Sequence, residues 1–194
     1  MKETLKKRPA AIIITAAVII LSTLFSVHRT LGAKCREITD GFYSGVRYEG
    51  YVHPSISKQL DERSDSANGV ITLAKNYSDL DREAEELSAA RAGLIEAVAN
   101  KDIPDMSKAN RALQGAFDNL ISAAAEVDVS ERDAKGLDAY LKNFKGAQYI
   151  IDNSGYNESV REFYRRTLNV FPTNMLSGPA GVEKPQLFEQ EIKP

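Results

Sequence analysis

"MSKANRALQGAFDNLISAA", residues 106–124, decides how this chain folds. Met106, Asn110, Leu113, Phe117, Leu120 and Ala124 recur at alternating spacings of four and three, which puts them on one stripe of a helix. The residues between them are mostly polar or small, so the stripe is the face that must be buried. A single helix of this kind is marginal in water, and it needs similar neighbours to build a core.

Those neighbours lie on both sides. Upstream run Ile56, Leu60, Arg63, Ala67, Val70, Ala74 and Tyr77, then Leu80, Ala84, Leu87, Arg91, Leu94 and Val98. Pro104 and its surroundings, Asn100 to Asp105, break the chain before the third stripe. Downstream, Ser130 with Asp133 supplies a capping-box-like start for Leu137, Leu141, Phe144, Gln148 and Ile151. The pattern predicts an all-α protein whose core is an antiparallel up-and-down four-helix bundle, with no strand after residue 53. Pro54 suits the first turn of the first bundle helix. Asn76 to Asp79 either forms a turn capped by Ser78 or lets one long helix run on.

Past Ile151 the stripe slips by five residues to Tyr156, then resumes through Val160, Phe163, Thr167 and Val170. Asn153-Ser154-Gly155 either ends a helix or, as a kink or single-turn bulge at Gly155, accounts for the slip, with Tyr156, Val160, Phe163 and Val170 facing the core. Phe171 and Pro172 form the helix stop, because proline cannot continue the hydrogen-bond ladder. Asn174 is a turn former. Residues 54–172 are thus the bundle and 173–194 an irregular tail, pinned by Leu176, Leu187 and Phe188.

The N-terminus is of another kind. Lys2, Lys6, Lys7 and Arg8 precede an uncharged run from Pro9 to Val27. As a helix this run is about 28 Å long, against ~30 Å of bilayer hydrocarbon. Residues 1–8 therefore read as a short basic cytoplasmic tail and 9–28 as a single transmembrane anchor. Cleavage as a signal peptide after Ala33 would put Leu31 where a small residue is needed, and Lys34 before Cys35 excludes a lipoprotein signal. The Lys/Arg bias favours a cytoplasmic N-terminus and an extracytoplasmic bundle at the cell membrane. Residues 29–53, rich in glycine and tyrosine, read as a connector of loop or short extended chain.

From residue 30 onward the chain holds 26 acidic residues against 20 Lys plus Arg, which argues against a nucleic-acid partner and leaves no polybasic stripe for lipid headgroups. Cys35 is the sole cysteine, so no internal disulfide is possible and a free juxtamembrane thiol is expected. His28 and His53 lack a second ligand at helical spacing, so no metal site is expected. The acidic clusters at Asp61, Glu62 and Asp65, and at Asp79 to Glu86, read as solvated helix faces. No catalytic residue and no cofactor are expected. The sharper feature is polar residues on the apolar stripes. Arg63, Arg91, Asn110 and Gln148, with Tyr156 and Asn157, are the candidate structural polar core. Reflecting the second and third helices about their loop brings Asn110 within reach of Arg91, a layer that would hold the helices in register.

"LDERSDSANGVITLAKNY" (60–77), Ala90-Arg91, Ala109-Asn110, "YNESV" (156–160), "FPTN" (171–174) and "LFE" (187–189) resemble, in order, the landmarks of the LemA family. The chain departs from that pattern in having Glu62-Arg63 followed by Asp65-Ser66-Ala67-Asn68-Gly69 where the family has an Arg-Arg pair and Asp-Leu-Ile-Pro-Asn. It also has Asn153 where an arginine is common. The resemblance implies a divergent, single-pass, non-enzymatic membrane protein with a four-helix bundle. It also implies an envelope or membrane protein as partner, such as one related to membrane proteases. Together these readings point to an interaction or adaptor module of the cell envelope, with an extracytoplasmic ligand-sensing bundle acting through a partner as the alternative.

Overall fold

A computed structural model describes residues 2–48 and 50–188. Glu189, the last residue of the Leu-Phe-Glu piece, and the tail beyond it lie outside the described residues. The fold is all-α with a long apolar helix at its N-terminus. The helices are α1 (Lys2–Ser44), α2 (Ile56–Ala74), α3 (Asp81–Asn100), α4 (Ile103–Ala124), α5 (Glu131–Asp152), α6 (Tyr156–Phe163) and the short α7 (Thr173–Leu176). One small hairpin, β1 (Val46–Tyr48) with β2 (Tyr51–His53), pairs Val46 with His53 and Arg47 with Val52.

The chain falls into two compact units. One joins Asp40–Ser159 to the chain from Gln186, and the other joins the chain through Thr39 to Val160–Pro185. The expected boundary at 172 is therefore displaced. Val160–Pro185 belongs with the apolar helix, because Leu168 and Val182 bury themselves against Leu31 and Cys35.

In the first unit α2 packs against both α3 and α5, and α3 packs against α4. Short connections between packed neighbours force them to alternate in direction. The links explain themselves locally. Ser55 caps α2, accepting from the Lys58 N–H at 3.1 Å, so the helix begins at Ile56 and Pro54 lies outside it. After Asn100 the chain turns through Lys101 at φ 56, and Asp102 accepts from the Asp105 N–H at 3.0 Å to start α4. Ser130 accepts from the Asp133 N–H at 3.2 Å, as the capping-box pattern requires. α2 and α3 are separate helices, divided by Lys75 to Tyr77 and a 3₁₀ turn at Ser78–Leu80.

The bundle stripes are buried as the spacing requires: Leu60, Ala67, Val70, Leu87, Leu113, Phe117, Leu120 and Phe144 lose essentially all solvent contact. Close approach of α2 and α5 depends on two glycines. A side chain at Gly69 would overlap the Tyr140 ring, and one at Gly136 would sit 2.9 Å from Leu73.

Further expectations fail. The stretch from 29 to 44 is helix, because α1 continues to Ser44. Its Leu31, Cys35 and Phe42 are buried at helical spacing, which outweighs the ~1 kcal/mol that each interior glycine costs. Gly155 (φ 70) lies in a true break between α5 and α6, the helix end that Asn153-Ser154-Gly155 allowed, whereas the bulge sits further on, as a π-turn at Tyr164–Leu168 closed by Asn169 N–H to Tyr164 O at 2.9 Å. The extra residue in that turn shifts the phase, so Leu168 is buried and Val170 is 47 % exposed. Finally, the helix has ended before Phe171 and Pro172 are reached. Phe171-Pro172 is a cis peptide with Phe171 exposed, and α7 follows where only an irregular tail was expected.

Candidate functional site

The polar residues on the bundle stripes form two ladders at the bundle centre. In the first, Arg63 on α2 is fully buried and its Nη2 donates to Gln114 Oε1 at 2.6 Å. Gln114 Nε2 in turn donates to Asp118 Oδ2 at 2.8 Å, which carries the chain of bonds to the surface. The guanidinium also lies 3.9 Å over the Phe144 ring, and Phe144 stacks on Phe117 with centroids 3.7 Å apart and planes at 3°. A cation over an aromatic face is attracted by the ring's quadrupole, most strongly where water is excluded.

Arg63 Nε and Nη1 meet no acceptor among the described residues. Burial pulls the Arg63 pKa down to about 10, against the opposing pull of Asp152 and Asp118. The side chain stays protonated at neutral pH, so a charge is held in the core by one hydrogen bond, one ring and two carboxylates at a distance.

In the second ladder Asn110 Nδ2 donates to Gln148 Oε1 at 3.1 Å, and Gln148 Nε2 donates to Asp152 Oδ1 at 2.6 Å. Asn110 Oδ1 is buried without a donor among the described residues. Gln114 lies one turn beyond Asn110 on α4, and Gln148 one turn beyond Phe144 on α5, so the ladders occupy adjacent layers.

The expected Arg91 to Asn110 contact is not formed. Arg91 is half-buried and its Nε donates to the Ser64 carbonyl at 3.0 Å, tying α3 to α2. Asn110 looks instead toward α5, where Gln148 offers an amide at its own level. Reflection about one loop could not reveal this, because a four-helix ring gives each helix two neighbours. Gln114, Asp118 and Asp152 were missed as partners. They sit four residues from a stripe or ladder residue, and that spacing was the available signal.

Tyr156 and Asn157 belong to a different place. Tyr156 is fully buried, edge-on to Phe42 at 5.4 Å, and its hydroxyl donates to the Gln186 carbonyl at 2.8 Å. Asn157 Oδ1 accepts the Phe188 N–H at 2.9 Å, and Phe188 packs on Phe42 at 5.5 Å. The Tyr-Asn pair therefore binds the returning chain end. Phe188 is buried as a pin, while Leu187 and Leu176 are only partly covered.

Of the other candidates, His28 Nδ1 lies 2.8 Å from the Ala180 carbonyl and His53 is half-buried in β2. Cys35 is a free thiol, as expected, and it is buried against Leu31, Leu168 and Val182. Among the described residues, no group of three or more His, Cys, Asp or Glu is placed to hold a metal ion. No family model, curated protein or solved structure matches the chain.

Proposed function

We propose that the chain is a membrane-anchored, non-enzymatic interaction module of the cell envelope, a divergent relative of the LemA family. In this reading the N-terminus is cytoplasmic and the bundle extracytoplasmic, and the partner is an envelope or membrane protein, such as a membrane protease. One observation carries the reading. α1 is long and apolar enough to cross a membrane, and Ile12, Ile13, Ile14, Val18, Ile19, Ile20, Leu21 and Phe25 are all 58–69 % exposed. A helix apolar all round has no stable place in water, and lipid is the solvent that covers it. The bundle's polar residues pair in large part with one another, with the backbone and with the chain end, which suits a register-fixing core.

Because Cys35 is buried, topology is read with a thiol placed elsewhere. In a Cys35→Ala, Asn119→Cys protein, a membrane-impermeant maleimide should label intact cells, with the protein sedimenting with membranes. Labelling only after lysis would defeat the extracytoplasmic assignment, and a protein left in the soluble fraction would defeat the anchor.

The rival reading is a bundle that senses a ligand between its helices and signals through a partner. The unpartnered Arg63 Nε and Nη1 and Asn110 Oδ1 favour it, since they are buried donors and an acceptor with capacity to spare. A small anion or amide that raises the melting temperature of wild type but not of Arg63→Met would establish it.

A further inference from the structure

Beyond the apolar run, α1 has a companion. Val27, Leu31 and Cys35 pack with Phe163, Tyr164, Leu168, Ala180 and Val182, and His28 Nδ1 pairs with the Ala180 carbonyl. The chain from Leu168 to Ala180 is therefore pinned at both ends to the part of α1 that directly follows its exposed apolar stretch. Val27 to Cys35 spans only about 12 Å of helix. A bilayer adds roughly 5–8 Å of headgroup layer on each side of its hydrocarbon. Between the two pins, Val170, Phe171 and Met175 are 47 %, 75 % and 65 % exposed. Three large apolar side chains within six residues thus lie exposed between two points fixed to α1 just past its apolar stretch.

Charge points the same way. Residues 28–39 and 160–185 hold seven Lys or Arg against three acids, whereas residues 40–159 hold 13 against 21. The acidic character of the chain belongs to the bundle. Arg29, Lys34, Arg165, Arg166 and Lys184, drawn from two distant stretches of sequence, are all exposed in one unit. Arg165 and Arg166 pair with Glu162 at 4.0 and 2.7 Å with their side chains 75 % and 70 % exposed, so these pairs yield readily to a stronger acceptor.

We infer that the Val170–Met175 turn is a second, interfacial membrane contact, with Val170, Phe171 and Met175 entering the headgroup–acyl boundary beside α1 while exposed basic residues of the same unit meet the phosphates of acidic lipids. The inference rests on the anchor reading above, because it is α1 that brings the turn to the bilayer. The contact would hold the leg of chain from Val160 to Pro185 at the surface and restrict how the protein swivels about its anchor.

The test uses the full chain carrying Cys35→Ala and one new cysteine bearing an environment-sensitive fluorophore, at Asn174 in the turn, Ile19 in α1 or Ile95 on the bundle. Each protein is reconstituted in vesicles of phosphatidylcholine and phosphatidylglycerol, with and without acyl chains brominated near the headgroup. Blue-shifted emission and bromine quenching at Asn174 and Ile19, but not at Ile95, are expected. Quenching at Asn174 should fall with Phe171→Asp, and also with Arg165→Gln plus Arg166→Gln, leaving Ile19 quenched. An Asn174 probe that behaves like Ile95 while Ile19 is quenched overturns the contact and leaves the anchor standing. If Ile19 escapes quenching, the anchor itself fails. Shielding of Asn174 that follows protein density rather than bromination would mean contact with a second copy, and would also overturn the proposal.

Discussion

The bundle and the leg that follows it solve the same packing problem with opposite means. The bundle buries a cation, amides and carboxylate-linked ladders among its apolar stripes, whereas the leg closes around Leu31, Cys35, Leu168 and Val182 with no charged side chain in the cluster. Polar ladders fix which helix faces which, because a slipped register would leave buried donors and acceptors unpaired. An apolar cluster is indifferent to such slips. The leg takes its register from a π-turn and from single side-chain bonds to backbone carbonyls, such as Tyr164 Oη donating to the Pro185 carbonyl at 3.2 Å. The bundle is therefore specified by side-chain chemistry and the leg by shape.

The largest blow to the bundle should come from Phe144→Ala, which removes a fully buried ring, its stack on Phe117 and the face beneath Arg63. A loss of about 3–5 kcal/mol is expected in denaturant titrations followed by helical circular dichroism. A loss under 1 kcal/mol would show that the aromatic layer is not the keystone of the bundle.

Leu168→Ala should divide the two regions. Truncating a buried leucine costs about 2–5 kcal/mol, here drawn from the leg alone. Cys35 should then react with a thiol reagent far faster than in wild type, while the bundle's melting temperature stays nearly constant. Concerted loss of both would show that leg and bundle unfold as one.

Gly69→Ala tests the fit of α2 on α5. The added methyl overlaps the Tyr140 ring, so a cost of about 1–3 kcal/mol is expected, much of it recovered in a Tyr140→Ala background. Equal costs in both backgrounds would assign the penalty to something other than the ring.

Arg63→Met asks whether the buried cation stabilises the fold or only selects it. Methionine fills the space without the desolvation cost, so stability should hold within about 1 kcal/mol or rise. A larger fall would make the Gln114 and Phe144 contacts net favourable.

The smallest effect is electrostatic. Partial burial, and then Asp65 and Glu62 nearby, push the Asp61 carboxyl above the ordinary range. The folded state thus holds its proton to higher pH than the unfolded chain, and this group's contribution falls as pH rises through that interval. Asp61→Asn should be slightly more stable than wild type at pH 7, within about 0.5 kcal/mol. The gain should vanish below the ordinary carboxylate range, where Asp61 is protonated in both states. A gain that persists there would have a non-electrostatic cause.

Much of this could be read beforehand. The four bundle stripes, the Ser130 cap and the break near Pro104 follow from spacing and local hydrogen bonding, which need no tertiary partner. The polar core was only half legible. Arg63, Asn110 and Gln148 announced themselves by sitting on apolar stripes, but Gln114, Asp118 and Asp152 occupy positions a solvated face would also fill. In α1, Val27, Leu31, Cys35, Ile38 and Phe42 already stand at helical spacing, yet the glycines and tyrosines around them read as a connector. Only packing against the leg and the chain end resolves that conflict, because buried area must outweigh the local preference of glycine.

The sequence by itself determined an apolar helix of membrane-spanning length and four amphipathic helices bound to pack, because periodicity and composition are properties of each segment alone. The tertiary structure decided which helix Asn110 and Arg91 address, where the π-turn shifts the phase and where α1 ends. It also gathered the basic residues of two distant segments in one unit, since each of these depends on groups far apart in the chain meeting in space.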